Sequence, residues 1–138
     1  MFVSTITKKS LSLEFIHADI GPTKELGYPE ESTEKAILLN YTNGVWDKLK
    51  FKCFIPDLIL IDGRFRVATF LMALIHSPGS KVIFDDYMNR EHYKVIEEIL
   101  PRKYSVGRFG VFVVPLEFTP EMRLQLATML EKYSMIPS

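Results

Sequence analysis

Apolar residues recur along this chain in two rhythms, and the switch between them marks out its central elements. Residues 58–61 read Leu-Ile-Leu-Ile and close on Asp62, while residues 82–84 read Val-Ile-Phe and close on Asp85 and Asp86. Short runs rich in β-branched and aromatic residues predict strands. Between them residues 65–76 are apolar on nearly every side, through Val67, Phe70, Leu71, Met72, Leu74 and Ile75, which predicts a helix buried on more than one face. A strand, a crossover helix and a second strand form a right-handed unit, so the two strands should lie parallel with both acidic ends at the same edge of the sheet. Ligands of open α/β sheets bind at that edge.

The remaining pattern surrounds this unit. Residues 1–10 read as a short edge strand or a frayed terminus. Over residues 11–20 Leu13, Phe15 and His17 alternate with Ser12, Glu14 and Ile16, predicting a strand that closes on Asp19-Ile20-Gly21-Pro22. The Gly, Pro and charged residues of positions 21–31 mark a surface loop. Ser32 or Thr33 can cap a helix carrying Ala36, Ile37, Leu38 and Leu39, with a break expected near Asn43-Gly44 and a solvated lysine-rich connection through Lys48, Lys50 and Lys52. Residues 77–80 stop the central helix, and residues 81–86 form the second strand. Residues 91–100 predict an amphipathic helix burying Tyr93, Ile96 and Leu100, ended by Pro101. Residues 104–108 and 111–116 predict a hairpin turning near Gly110. Thr119-Pro120-Glu121 is a strong helix start, followed by Met122, Leu126, Met129, Leu130 and Tyr133 at helical spacing.

Composition narrows the function classes. A chain of 138 residues, 47% of them hydrophobic, fits one α/β domain over residues 1–138. Its 17 basic residues balance 17 acidic ones, so no net positive field favours nucleic acid or an anionic membrane. The apolar stretch over residues 55–75 is interrupted by Asp57, Asp62, Arg64 and Arg66 and does not read as a membrane span, nor does the start read as a secretory leader. Cys53 is the single cysteine, and Phe51 and Phe54 beside it predict a buried, inert thiol, in keeping with a reducing cytoplasm. No nucleophile triad, phosphate-binding glycine loop or Cys/His zinc spacing is present.

Four blocks, HADIGPTKELGYP, PDLILIDGRFRVA, IFDDYMNREHYKVIEEIL and VGRFGVF, resemble in wording and order those of bacterial class I S-adenosylmethionine-dependent methyltransferase-like proteins. The resemblance covers roughly residues 11–114. It implies a truncated Rossmann-like methyltransferase fold with a mostly parallel sheet, a C-terminal antiparallel hairpin and a final helix. It implies S-adenosylmethionine as cofactor, with Asp19 facing the adenine amino group. From the metal-dependent O-methyltransferases it implies Asp62, Asp85 and Asp86 as ligands of Mg2+, the acceptor being a hydroxyl of a small molecule. Carboxylates on neighbouring parallel strands, about 4.8 Å apart, can converge on one hard cation.

Arg64 and Arg90 are the candidate substrate-binding residues at this edge; Arg64 and Arg66 could hold an anionic substrate, with ion pairs to nearby acids as their favoured use. His92 serves as general base only if it turns toward Asp86 and the acceptor. The chain departs from the family in one respect: no glycine-rich turn and no ribose-binding acid precede residue 11. Three readings follow: a fragment, a chain whose missing N-terminal half comes from another chain, or a module that has lost catalysis and acts as a homodimeric binding or assembly protein through its open sheet edge or last helix.

Overall fold

The computed structural model describes residues 13–31 and 33–137. In chain order these form helix α1 (Lys35–Phe51), strand β1 (Leu58–Ile61), helix α2 (Arg66–His76), strand β2 (Lys81–Phe84), a 3-10 run (Glu91–Glu98), strands β3 (Tyr104–Val106) and β4 (Phe109–Val113), and helix α3 (Pro120–Tyr133). The terminal element expected over residues 1–10 lies outside the described residues, as does Ser32 of the expected cap.

The strands assemble in the order β1-β2-β4-β3. β1 and β2 are parallel, with Ile61 opposite Phe84, so Asp62 and Asp85 leave the sheet at one edge. The β2–β4 and β3–β4 pairs are antiparallel. The sheet is therefore mixed rather than mostly parallel, because the hairpin folds back and sets β4, not another crossover strand, beside β2.

Alternation gives the sheet two faces. Ile61, Val82, Phe84 and Phe112 point to one of them and are buried together with Phe70, Leu71 and Leu74 of α2, Tyr93 and Ile96 of the 3-10 run, and Leu126 and Met129 of α3. Phe70 meets Phe112 edge-on at 4.8 Å between ring centroids, and Phe84 meets Tyr93 at the same separation. Helix α2 buries eight of its residues, as an all-round apolar helix must. The other face is an open apolar groove of about 430 Å³ lined by Leu60, Ile83, Tyr104, Val106, Phe109 and Val111.

Several local expectations are corrected. Residues 13–20 form no strand among the described residues; Leu13 and Phe15 are exposed, and Ile20 is buried against Leu38, Phe65 and Ala68. Helix α1 runs unbroken through Gly44, because Leu38, Thr42 and Trp46 repeat at a spacing of four and bury one continuous face. Residues 91–98 wind as a 3-10 helix, since Tyr93, Ile96 and Ile99 bury at a spacing of three, the 3-10 period. The hairpin turns at Gly107, whose φ of +56° suits glycine; Gly110 lies inside β4, where a Cβ would come within 2.7 Å of Tyr87 Cδ1. Cys53 is exposed, not buried, because α1 ends at Phe51 and the chain leaves through a left-handed residue there. The start of α3 is as expected: Thr119 Oγ1 accepts a hydrogen bond from the Met122 amide at 3.2 Å.

Candidate functional site at the carboxyl ends of the parallel strands

Both parallel strands leave the sheet through a left-handed residue that is not glycine. Phe65, with φ +54°, is fully buried and precedes α2; Asp86, with φ +56°, follows β2. Such residues are uncommon, and their strain tends to collect where a fold positions chemistry. Gly63 sits between β1 and Phe65 because a Cβ there would collide with the Tyr41 hydroxyl, which accepts a hydrogen bond from the Arg64 amide at 3.1 Å.

Arg66 ties these exits together. Only 4% exposed, it donates from Nε to the Gly63 carbonyl at 2.8 Å, and from Nη1 to the Asp85 carbonyl at 2.8 Å and to Asp86 Oδ2 at 3.2 Å. Its Nη2 lies 3.4 Å from Asp62 Oδ1. A guanidinium with a fixed fork of donors can bridge two strand ends in this way, and the paired carboxylates offset the cost of burying its charge.

The three acids differ in how fully they are engaged. Asp85 is buried and receives Arg108 in a two-pronged pair, Nε to Oδ1 at 2.6 Å and Nη2 to Oδ2 at 3.1 Å, while Oδ1 also accepts the Asp86 amide at 2.8 Å. These hydrogen bonds, and then the Asp85 charge, hold the Arg108 guanidinium above its ordinary range. Asp86 Oδ2 is shared between Arg66 and Arg90, the latter at 3.3 Å. Arg90 also donates to the Tyr93 hydroxyl at 3.3 Å, the largest cause of its raised pKa. Asp62 is about half exposed, and its Oδ2 has no partner among the described residues.

The donor set does not fit a divalent cation. Among the described residues no three His, Cys, Asp or Glu side chains gather as a metal site, and the oxygens of Asp85 and Asp86 are taken by guanidinium groups. The expectation that Asp62, Asp85 and Asp86 ligate Mg2+ came from the resemblance; in the structure Arg66, Arg90 and Arg108 supply the positive charge beside these acids.

Of the other expected residues, Arg90 joins this cluster, and Arg64 lies beside it with its guanidinium 4.3 Å above the Tyr28 ring. His92 is exposed, its ring 4.2 Å from that of Tyr93, and makes no hydrogen bond to Asp86. Asp19 is exposed; its Oδ1 accepts the Gly21 amide at 2.9 Å, and it borders a cleft of about 460 Å³ with Ala36, Asn40, Asn43 and Asp47. Arg108 escapes sequence reasoning: it meets Asp85 only because β4 runs antiparallel to β2 with Gly110 opposite Phe84, a register that no local pattern announces.

This architecture is similar to that of a known crystal structure, a methyltransferase-like protein from Silicibacter pomeroyi. The two share 31% identity with a TM-score of 0.71 over 88% of this chain. The fold is methyltransferase-like. The match spans 61% of the other chain's length. No protein-family model and no curated protein matches the chain. Within the methyltransferase-like fold, the charged cluster occupies the carboxyl ends of the sheet's one parallel pair.

Proposed function

We propose that the chain is the acceptor-side half of an S-adenosylmethionine-dependent methyltransferase acting on a hydroxyl of a small molecule. The observation that carries this reading is the coincidence of a methyltransferase-like fold with a charged, strained cluster at the ligand-binding edge of its parallel strands. Asp62 is the residue suited to receive the acceptor hydroxyl, since its side chain is half exposed and its Oδ2 has no partner among the described residues. Arg66 is a positioning residue, holding the two strand ends in register. Asp19 is placed on the adenine side of the cofactor, and the remaining cofactor contacts come from a polypeptide segment beyond the described residues. No step is assigned to a metal.

Calorimetric titration of S-adenosylmethionine into concentrated protein tests this reading. Weak, saturable heat that is indifferent to Mg2+ is expected, and complete absence of heat would remove the methyltransferase reading for this chain as it stands.

A second reading, a non-catalytic binding or assembly module that forms homodimers, is favoured by a sheet edge that no other described strand pairs with. Leu58 and Leu60 of edge strand β1 are 57% and 41% exposed, beside the open groove on the outer face. An exposed apolar edge strand offers unpaired backbone groups to a second chain. A concentration-dependent dimer by light scattering, together with no cofactor heat, would select it.

A further inference from the structure

We infer that the strand-end cluster is an anion site and that its ligand carries a carboxylate. This deepens the acceptor reading above and rests on it for the ligand's role in methyl transfer, but the binding claim stands on the cluster's own geometry. Three guanidinium groups, Arg66, Arg90 and Arg108, face three carboxylates, Asp62, Asp85 and Asp86, and a fourth, Arg64, lies beside Asp62 over the Tyr28 ring, with no ion pair to these acids among the described residues. The acids are outnumbered locally in a chain whose formal net charge is zero.

The excess charge is also accessible. Arg66 spends its donors on Gly63, Asp85, Asp86 and Asp62 and is buried. Arg90 and Arg108, with side chains 38% and 54% exposed, both lie against Asp86 yet keep donors in hand. Arg90 uses Nη1 and Nη2, leaving Nε; Arg108 uses Nε and Nη2, leaving Nη1. Arg64 makes no side-chain hydrogen bond and is held over Tyr28 by its cation–π contact.

Asp85 and Asp86 hold these guanidinium groups in place, which lowers the ordering cost of capturing a ligand. Planar forks of this type match the two oxygens of a carboxylate. Beside them Asp62 Oδ2, without a partner among the described residues, is suited to a neutral donor such as a hydroxyl. A small hydroxylated carboxylate satisfies both halves of the site.

The test is a titration of the isotope-labelled full chain with sodium malonate, inorganic phosphate and magnesium chloride, each against sodium chloride at matched ionic strength. The arginine Nε–H resonances and backbone amides would be followed. Malonate should produce saturable shifts at Arg90 and Arg108. Arg90→Gln should weaken it about tenfold, the loss expected for one charge-assisted hydrogen bond, and the exposed α3 variant Arg123→Gln should leave it unchanged. Shifts no larger than those from sodium chloride, saturation by phosphate alone, an equal loss in Arg123→Gln, or saturable Mg2+ binding at Asp62 and Asp86 without malonate binding would each overturn the inference. Malonate binding without S-adenosylmethionine heat would sustain the anion site while removing the methyltransferase reading. The reverse result would remove the anion site alone.

Discussion

The parallel strands enter and leave the sheet through very different surroundings. At the entry end Trp46, Phe54, Ile55, Ile75 and His76 border an apolar cleft of about 470 Å³, and Phe54, Ile55 and Ile75 are largely exposed. At the exit end nearly every ionised group has a named partner, one arginine is buried, and both strands depart through strained residues. Exposed apolar side chains at the entry end need only loose contact, whereas a buried guanidinium persists only if its partners are fixed. The fold has therefore placed its organised charge where an open α/β sheet presents ligands.

Removing the hub of the charged end should have the largest effect. Arg66→Met leaves the Gly63 and Asp85 carbonyls without this donor and Asp86 with only Arg90 and Arg108 beside it, and a loss of about 3–5 kcal/mol of stability is expected by denaturant titration. Asp85→Asn should cost less, about 1–3 kcal/mol, because Arg108 is half exposed and can turn to water. Asp62→Asn should change stability by no more than about 0.5 kcal/mol yet abolish transfer to the acceptor hydroxyl, which separates a ligand-facing acid from a structural one.

The entry end predicts a weaker effect of opposite character. His76 stacks on Trp46 at 5.4 Å, and burial, followed by the charge of Lys50, lowers its pKa. The unfolded chain then binds this proton more readily than the folded one, so this contribution to stability is intact above the ordinary histidine value of about 6.5 and is lost progressively as pH falls from there through the lowered folded-state value. Thermal melts of wild type and His76→Phe between about pH 7.5 and pH 5 should show the smaller acid sensitivity in the variant.

Much of this contrast can be read in the sequence, and the rest depends on distant contacts. The β1–α2–β2 unit and the common edge of its acids follow from two apolar runs, an all-round apolar helix and the handedness of crossovers. The start of α3 follows from Thr119 and Pro120. What stays hidden is set by register: Arg108 reaches Asp85 across 23 positions because the hairpin turns at Gly107 rather than Gly110. The same limit applies at the three acids expected to hold a cation. Pairing of Arg66 with nearby acids could be expected from the sequence, whereas Arg108 on Asp85 could not. Gly44 likewise looks like a helix break until the buried face from Leu38 to Trp46 is seen to continue past it.

The central claim, that the charged exit end is the ligand-binding end, is tested most directly by mapping S-adenosylmethionine on the labelled chain by NMR. The account predicts saturable perturbations around residues 19–21, 62–66 and 85–90. Perturbations confined to residues 50–55 and 75–78 at the apolar entry end would contradict it.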